Sequence, residues 1–175
     1  MVIAIGSHGR NTGKTSAVCA VIRAFPEARW TAIKISAHEP DAGAAYTLEP
    51  ETDRDGRHDS CRYLGAGAVQ SYFLRHGAGG LAAAMPALRG LVADAGNVIF
   101  ESSSILDFLR PDFYLFVLNR GAAEVKASAK AYAARAGAIL TVRAAAPDHL
   151  SPELVDFVRA RLSRERTAPP NVAES

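Results

Sequence analysis

The feature that most narrows the possible folds is an apolar run, VIAI, followed at once by GSHGRNTGKTS and then by helical spacing. The run is β-branched, continuous and closed by Gly6, so MVIAIG is predicted to be a short buried strand. Beyond Gly13, residues Val18, Val21, Ile22 and Phe25 recur on one helical face until Pro26 stops the pattern. A buried strand that turns through glycines into a helix opens an α/β unit.

The alternation continues along the chain. Further strands are predicted at WTAIKISA (30–37), AVQSYFL (68–74), NVIFES (97–102), FYLFVLN (113–119) and AILTVR. Helices are predicted at GLAAAMPALRGLVADAG (80–96), with Pro86 near its middle as a caution, and at VKASAKAYAARAG, ending at Gly137. A last helix opens with Ser151-Pro152-Glu153, a cap followed by proline in the first turn, and carries an apolar stripe of Leu154, Val158 and Leu162. Residues 38–62 are polar, rich in Asp, Glu, Gly and Pro, and read as a long loop. The tail TAPPNVAES (167–175) reads as disordered. The expected fold is therefore α/β: one domain over residues 1–166, with a mostly parallel sheet covered by helices on both faces.

Charge excludes some partners. With 20 Lys and Arg against 18 Asp and Glu, the net charge of +2 gives no reason to expect nucleic acid or an anionic membrane. Cys19 and Cys61 make no disulfide framework. VIAI is too short to span a bilayer and no basic region precedes it, so a cytoplasmic location is expected.

The glycine-rich loop carries the chemistry. The strict nucleotide-loop pattern is glycine, four residues, then Gly-Lys-Thr/Ser. Counting back from Gly13 puts His8 at the first glycine position, with Gly9 beside it. Glycines let backbone N–H groups approach phosphate oxygens, and the helix that follows adds the positive end of its dipole. In this reading Gly9, Arg10, Asn11, Thr12, Gly13 and Ser16 line the phosphates. Lys14 reaches the β- and γ-phosphates, and the Thr15 hydroxyl ligates Mg²⁺. The bland alternative is an ordinary strand–helix turn, with Arg10 simply solvated. Glu101, at the end of NVIFE, is the candidate carboxylate to organise the metal, because parallel strands bring their C-terminal ends to one edge. Ser102, Ser103 and Ser104 suit a cap for the next turn. Asn119, at the end of FYLFVLN, is a candidate contact to a purine edge or the start of an Asn-Arg-Gly turn.

A family resemblance appears in IKISAHEPD…TDRDGRHDSCRYLGAGAVQSYFL. The elements are Ile33-Lys34, then His38, Asp41, Asp53 and Asp55, then Gly56-Arg57-His58-Asp59-Ser60 with Arg62, then Gly65-Ala66-Gly67-Ala68. With the GKT loop they resemble MobB, the P-loop GTP-binding accessory proteins of molybdenum-cofactor (molybdopterin guanine dinucleotide) biosynthesis, over roughly residues 2–102. Two departures stand out: Ser102 where the family has glycine, and Ile35 where it has histidine. The resemblance implies a three-layer P-loop NTPase, GTP binding and slow Mg²⁺-dependent hydrolysis. It also implies a homodimer working beside a MobA-like guanylyltransferase or a molybdoenzyme. Within that frame Lys14, Glu101 and Asp59 are the candidate catalytic residues, and Thr15, Glu101 and Asp41 the candidate Mg²⁺ ligands; Asp59 and Asp41 read equally as solvated loop acids.

Two other functions fit the same residues. His38, His58 and Cys61, with Glu39 and Asp59, are borderline metal ligands in one segment, as a GTP-dependent metallochaperone would need. A nucleotide-gated binding module with negligible turnover is the third class.

Overall fold

The computed structural model describes residues 1–9, 11–40, 43–119, 121, 127–142, 150 and 152–165. The chain runs β1 (Val2–Ser7), α1 (Lys14–Ala24), β2 (Thr31–Ser36), β3 (Tyr46–Pro50), α2 (Asp59–Ala66), β4 (Gln70–His76) and α3 (Gly80–Ala95). It continues through β5 (Val98–Glu101), β6 (Phe113–Asn119), α4 (Ala127–Ala133), β7 (Ala138–Val142) and α5 (Pro152–Glu165). Among the described residues the strands form one sheet in the order β3-β4-β2-β5-β1-β6-β7. Every pairing is parallel except that of β3 with β4 at one edge.

The central strands β1 and β5 are apolar runs because both of their faces are covered. On one face Ile3, Ile5, Ala32 and Ile99 pack with Val18, Val21 and Ile22 of α1, Tyr63 of α2, and Leu154 and Val158 of α5. On the other, Ala4, Ile33 and Phe100 pack with Leu81, Ala84, Met85 and Leu88 of α3 and Ala129 of α4. The molecule is thus an α/β domain with helices on both sides of a mostly parallel sheet. Among the described residues no helix is long and apolar enough to cross a membrane.

Two expectations need correction. Residues 38–62 are not one loop: they contain β3 and the start of α2. Only five residues long and at the sheet edge, β3 shows too little alternation to stand out, although Tyr46 and Leu48 pack against the α3 side of the core. Pro50 ends it, as an edge strand allows. The strand expected at 68–74 lies at Gln70–His76, because α2 closes on Gly67 in the left-handed region (φ 111°) and Ala68 and Val69 complete the turn. The helix expected at 80–96 is present as α3, which runs unbroken past Pro86 with that residue on the exposed side. The tail at 167–175 lies outside the described residues.

Candidate functional site

Strand register builds the site. In the parallel sheet Glu101 of β5 stands level with Ile5 of β1 on one side and Lys34 of β2 on the other. Side chains alternate along a strand, and Ala32 and Ile99 both face α1 and α2. Two residues further on, Lys34 and Glu101 therefore point to that same face, at the C-terminal edge of the sheet. There α1 begins with Lys14 and Thr15, and α2 with Asp59. Tyr63, four residues beyond Asp59, shares its face of α2.

These side chains converge on Glu101, which is only 3% exposed. Thr15 donates its hydroxyl to Glu101 Oε2 at 2.8 Å, and Tyr63 donates to the same oxygen. Lys34 Nζ lies 2.8 Å from Glu101 Oε1 and 2.5 Å from Asp59 Oδ2. Arg62 flanks the group, with Nη1 3.7 Å from Asp59 Oδ1 and Nη2 donating to Ser16 Oγ at 3.1 Å. A buried carboxylate with several donors and a cation is well compensated, so Glu101 persists at a strand end where a lone charge would be costly.

The electrostatics follow. Burial works against the charge of Lys34, but Glu101 and Asp59 outweigh it and raise the lysine above its ordinary range. Burial likewise opposes ionisation of Asp59, yet the bond from Lys34 and its charge hold the carboxyl below its usual value. For Tyr63, burial and then the Glu101 charge push the phenol well above its usual range, so it remains a donor. Lys14 goes the other way: burial lowers it, only partly offset by Glu101.

The glycine-rich loop folds over Lys14. Its ammonium donates to Gly9 O at 2.7 Å and to Ser7 Oγ at 2.8 Å. Thr12, 2% exposed, braces the same turn by donating to Ser7 Oγ at 2.6 Å. Gly13 caps α1 with φ 96°, a left-handed conformation that suits glycine. Asn11 also takes a positive φ of 54°, which asparagine tolerates. At Gly6 a Cβ would collide with Ser103 and Tyr114, so glycine at this strand end lets the next loop pack closely. His8, where the strict motif has glycine, is 6% exposed and neither ring nitrogen has a hydrogen-bond partner among the described residues.

The other candidates fall in different places. Arg10 and Asp41 lie outside the described residues. Ser102 accepts from the Ser104 backbone N–H at 3.1 Å, just ahead of a 3-10 turn at Ser104–Asp107. Asn119 lies one strand over from the loop; its Oδ1 accepts from the Gly121 N–H at 2.9 Å, closing an Asx turn. His38 pairs with Ser36 Oγ at 2.8 Å, and the buried Cys61 thiol donates to Glu51 at 3.1 Å. Among the described residues no three His, Cys, Asp or Glu side chains gather to hold a metal ion. Grooves of about 770 and 560 Å³ lie away from this site, the larger at the opposite sheet edge around Met1, Gln70 and Asn97.

Sequence reasoning missed Tyr63 and the roles of Lys34 and Ser7. The interval from Asp59 to Tyr63 was a usable signal for the tyrosine, but the pairing of Lys34 with Glu101 depends on a strand order that the sequence does not display. Comparison with protein-family models, with curated proteins and with solved structures gives no match.

Proposed function

We propose that this chain binds GTP with Mg²⁺ through the residue 6–16 loop and hydrolyses it slowly. The observation that carries the reading is the 2.8 Å contact between Thr15, the first residue after the loop lysine, and Glu101, a carboxylate from the neighbouring strand. Phosphate loops place a hydroxyl and a carboxylate together in this way to share one Mg²⁺. The donor set is hard and all-oxygen: the Thr15 hydroxyl, Glu101 and, across the Lys34 ammonium, Asp59. Mg²⁺ suits one or two carboxylates completed by phosphate oxygens, whereas nickel or zinc would ask for a His/Cys cluster.

When bound, Mg²⁺ would neutralise charge on the β- and γ-phosphates and orient them. Lys14 would exchange its bonds to Ser7 and Gly9 for phosphate oxygens, and the N–H groups from Gly9 to Gly13 would line the cradle. Arg62, tied to Ser16 and Asp59, flanks the opening without an adjacent glutamine to orient water, in keeping with slow turnover. The choice of guanine, the homodimer, the cytoplasmic location and a client in molybdenum-cofactor synthesis, a MobA-like guanylyltransferase or a molybdoenzyme, rest on the MobB resemblance.

Titration with a fluorescent GTP analogue tests the core of this reading. Lys14→Ala removes a charge-assisted phosphate contact and should weaken binding by about 1.5–3 kcal/mol. Equal affinity in wild type and variant would sink it.

A further inference from the structure

We propose that Lys34 is a built-in counter-cation for Glu101 and Asp59, and that a divalent cation enters the site by displacing its ammonium group. The inference rests on the Mg²⁺ reading above and concerns what the chain does with those carboxylates before the cation arrives.

Two lysines border this site, and their contacts divide the work. Among the described residues Lys14 bonds only neutral oxygens of the loop, Ser7 Oγ and Gly9 O. Lys34 instead bridges two carboxylates, at 2.8 Å from Glu101 and 2.5 Å from Asp59. Among the described residues no other cation forms an ion pair with Glu101. Its remaining donors, Thr15 and Tyr63, are hydroxyls that satisfy lone pairs but bring no charge. A carboxylate this buried needs an opposite charge, and Lys34 supplies it.

That ammonium holds Glu101 Oε1 and Asp59 Oδ2, while Thr15 bonds the other Glu101 oxygen, Oε2, so a cation shared by Thr15 and the two carboxylates would enter beside the ammonium. An ammonium and a divalent ion drawn to the same two carboxylates would repel at close range in a partly dehydrated site. One must give way. Lys34 can yield because its ammonium sits on a flexible four-carbon stem. With Arg62 beside Asp59, the arrangement balances the charge of the two carboxylates and makes cation binding an exchange. It also sets the sign of a mutation: removing Lys34 destabilises the cation-free protein but strengthens cation binding. A purely structural ion pair would give the first effect without the second.

The test is a Mn²⁺ titration read by electron paramagnetic resonance, with no nucleotide present, so a chain that binds no GTP still answers it. Lys34→Met keeps the stem and deletes the charge. It should bind Mn²⁺ at least about tenfold more tightly than wild type, and its lowered melting temperature in EDTA should recover on adding Mn²⁺. Glu101→Gln in the Lys34→Met background should abolish the gain. Mn²⁺ affinity in Lys34→Met equal to or weaker than wild type would overturn the proposal. Should Lys34→Met fail to fold, the lysine ammonium resonance of Lys34 in wild type decides, read by ¹H–¹⁵N spectroscopy. Saturating Mg²⁺ should shift it, and an unmoved resonance would overturn the exchange.

Discussion

Tyr63 donates its hydroxyl to the Glu101 oxygen that also accepts from Thr15, so two side chains from different helices share one buried acceptor. A hydrogen bond to a charged group contributes more than a neutral one, and deleting the donor leaves the buried carboxylate short of a partner. Tyr63→Phe should therefore destabilise the fold by about 1–3 kcal/mol in urea denaturation at neutral pH. A loss within error would mean that Lys34 and Thr15 alone satisfy Glu101. Glu101→Gln separates charge from shape. The amide oxygen still accepts from Thr15, but the charge that the Mg²⁺ reading needs is gone. GTP-analogue binding should then lose its sensitivity to EDTA more than its affinity, and normal Mg²⁺ dependence in this variant would refute the metal assignment. Of these residues, Lys14, Thr15 and Glu101 were legible because each sits at a fixed offset from a motif or a strand end. Lys34 and Tyr63 act through neighbours that only the folded sheet brings close.

At the scale of elements, the turn from β3 into α2 is held by Glu51. Its carboxylate accepts from Ser60 Oγ at 2.7 Å, from Cys61 Sγ at 3.1 Å and from the N–H groups of Thr52 and Asp53 at 3.0 Å. These bonds, led by Ser60 and Cys61, hold Glu51 down to about 2, against an ordinary 4.5. Because the folded value is depressed, the stabilisation is fully present above the unfolded value and fades as pH falls from about 4.5 toward 2. Glu51→Gln should cost about 1–2 kcal/mol near pH 6, allowing for solvent screening at this partly exposed position. The gap to wild type should narrow below pH 4.5; a gap independent of pH would show that the carboxylate charge contributes nothing. The thiol belongs to the same device: burial and the Glu51 carboxylate push Cys61 upward, so it stays protonated and donates. This turn explains why residues 38–62 looked like a loop. Its stabilising contacts are polar and local, and polar contacts leave no hydrophobic period to read.

At the scale of the whole molecule, strand order puts the candidate site where two connections part. β1 and β5 are adjacent and parallel. α1 leaves β1 over the face that holds Ile3 and Ile5, while the 3-10 turn after β5 places Ile105 and Leu106 on the opposite face. Open parallel sheets bind ligands in the crevice beyond such a divergence, where no loop crosses from one strand to the next. The strand–loop–helix alternation was readable from the apolar runs, because central strands buried on both faces must be continuous. The divergence was not, since it depends on β5 inserting between β1 and β2. If the proposed ligand binds in this crevice, it binds the folded chain alone and must stabilise it by mass action. GTP with Mg²⁺ at a hundred times its dissociation constant adds about 2.7 kcal/mol. For a chain of 175 residues this corresponds to a rise in melting temperature of about 5–11 °C. Lys14→Ala at the same ligand concentration should show a clearly smaller rise, and GTP without Mg²⁺ should fall between the two. Hydrogen exchange locates the effect: added protection should concentrate in the residue 6–15 loop and the first turn of α2, leaving the groove around Met1, Gln70 and Asn97 unchanged. A thermal shift that survives Lys14→Ala undiminished, or protection centred on that opposite groove, would place the nucleotide elsewhere on the molecule and take the loop out of the binding site.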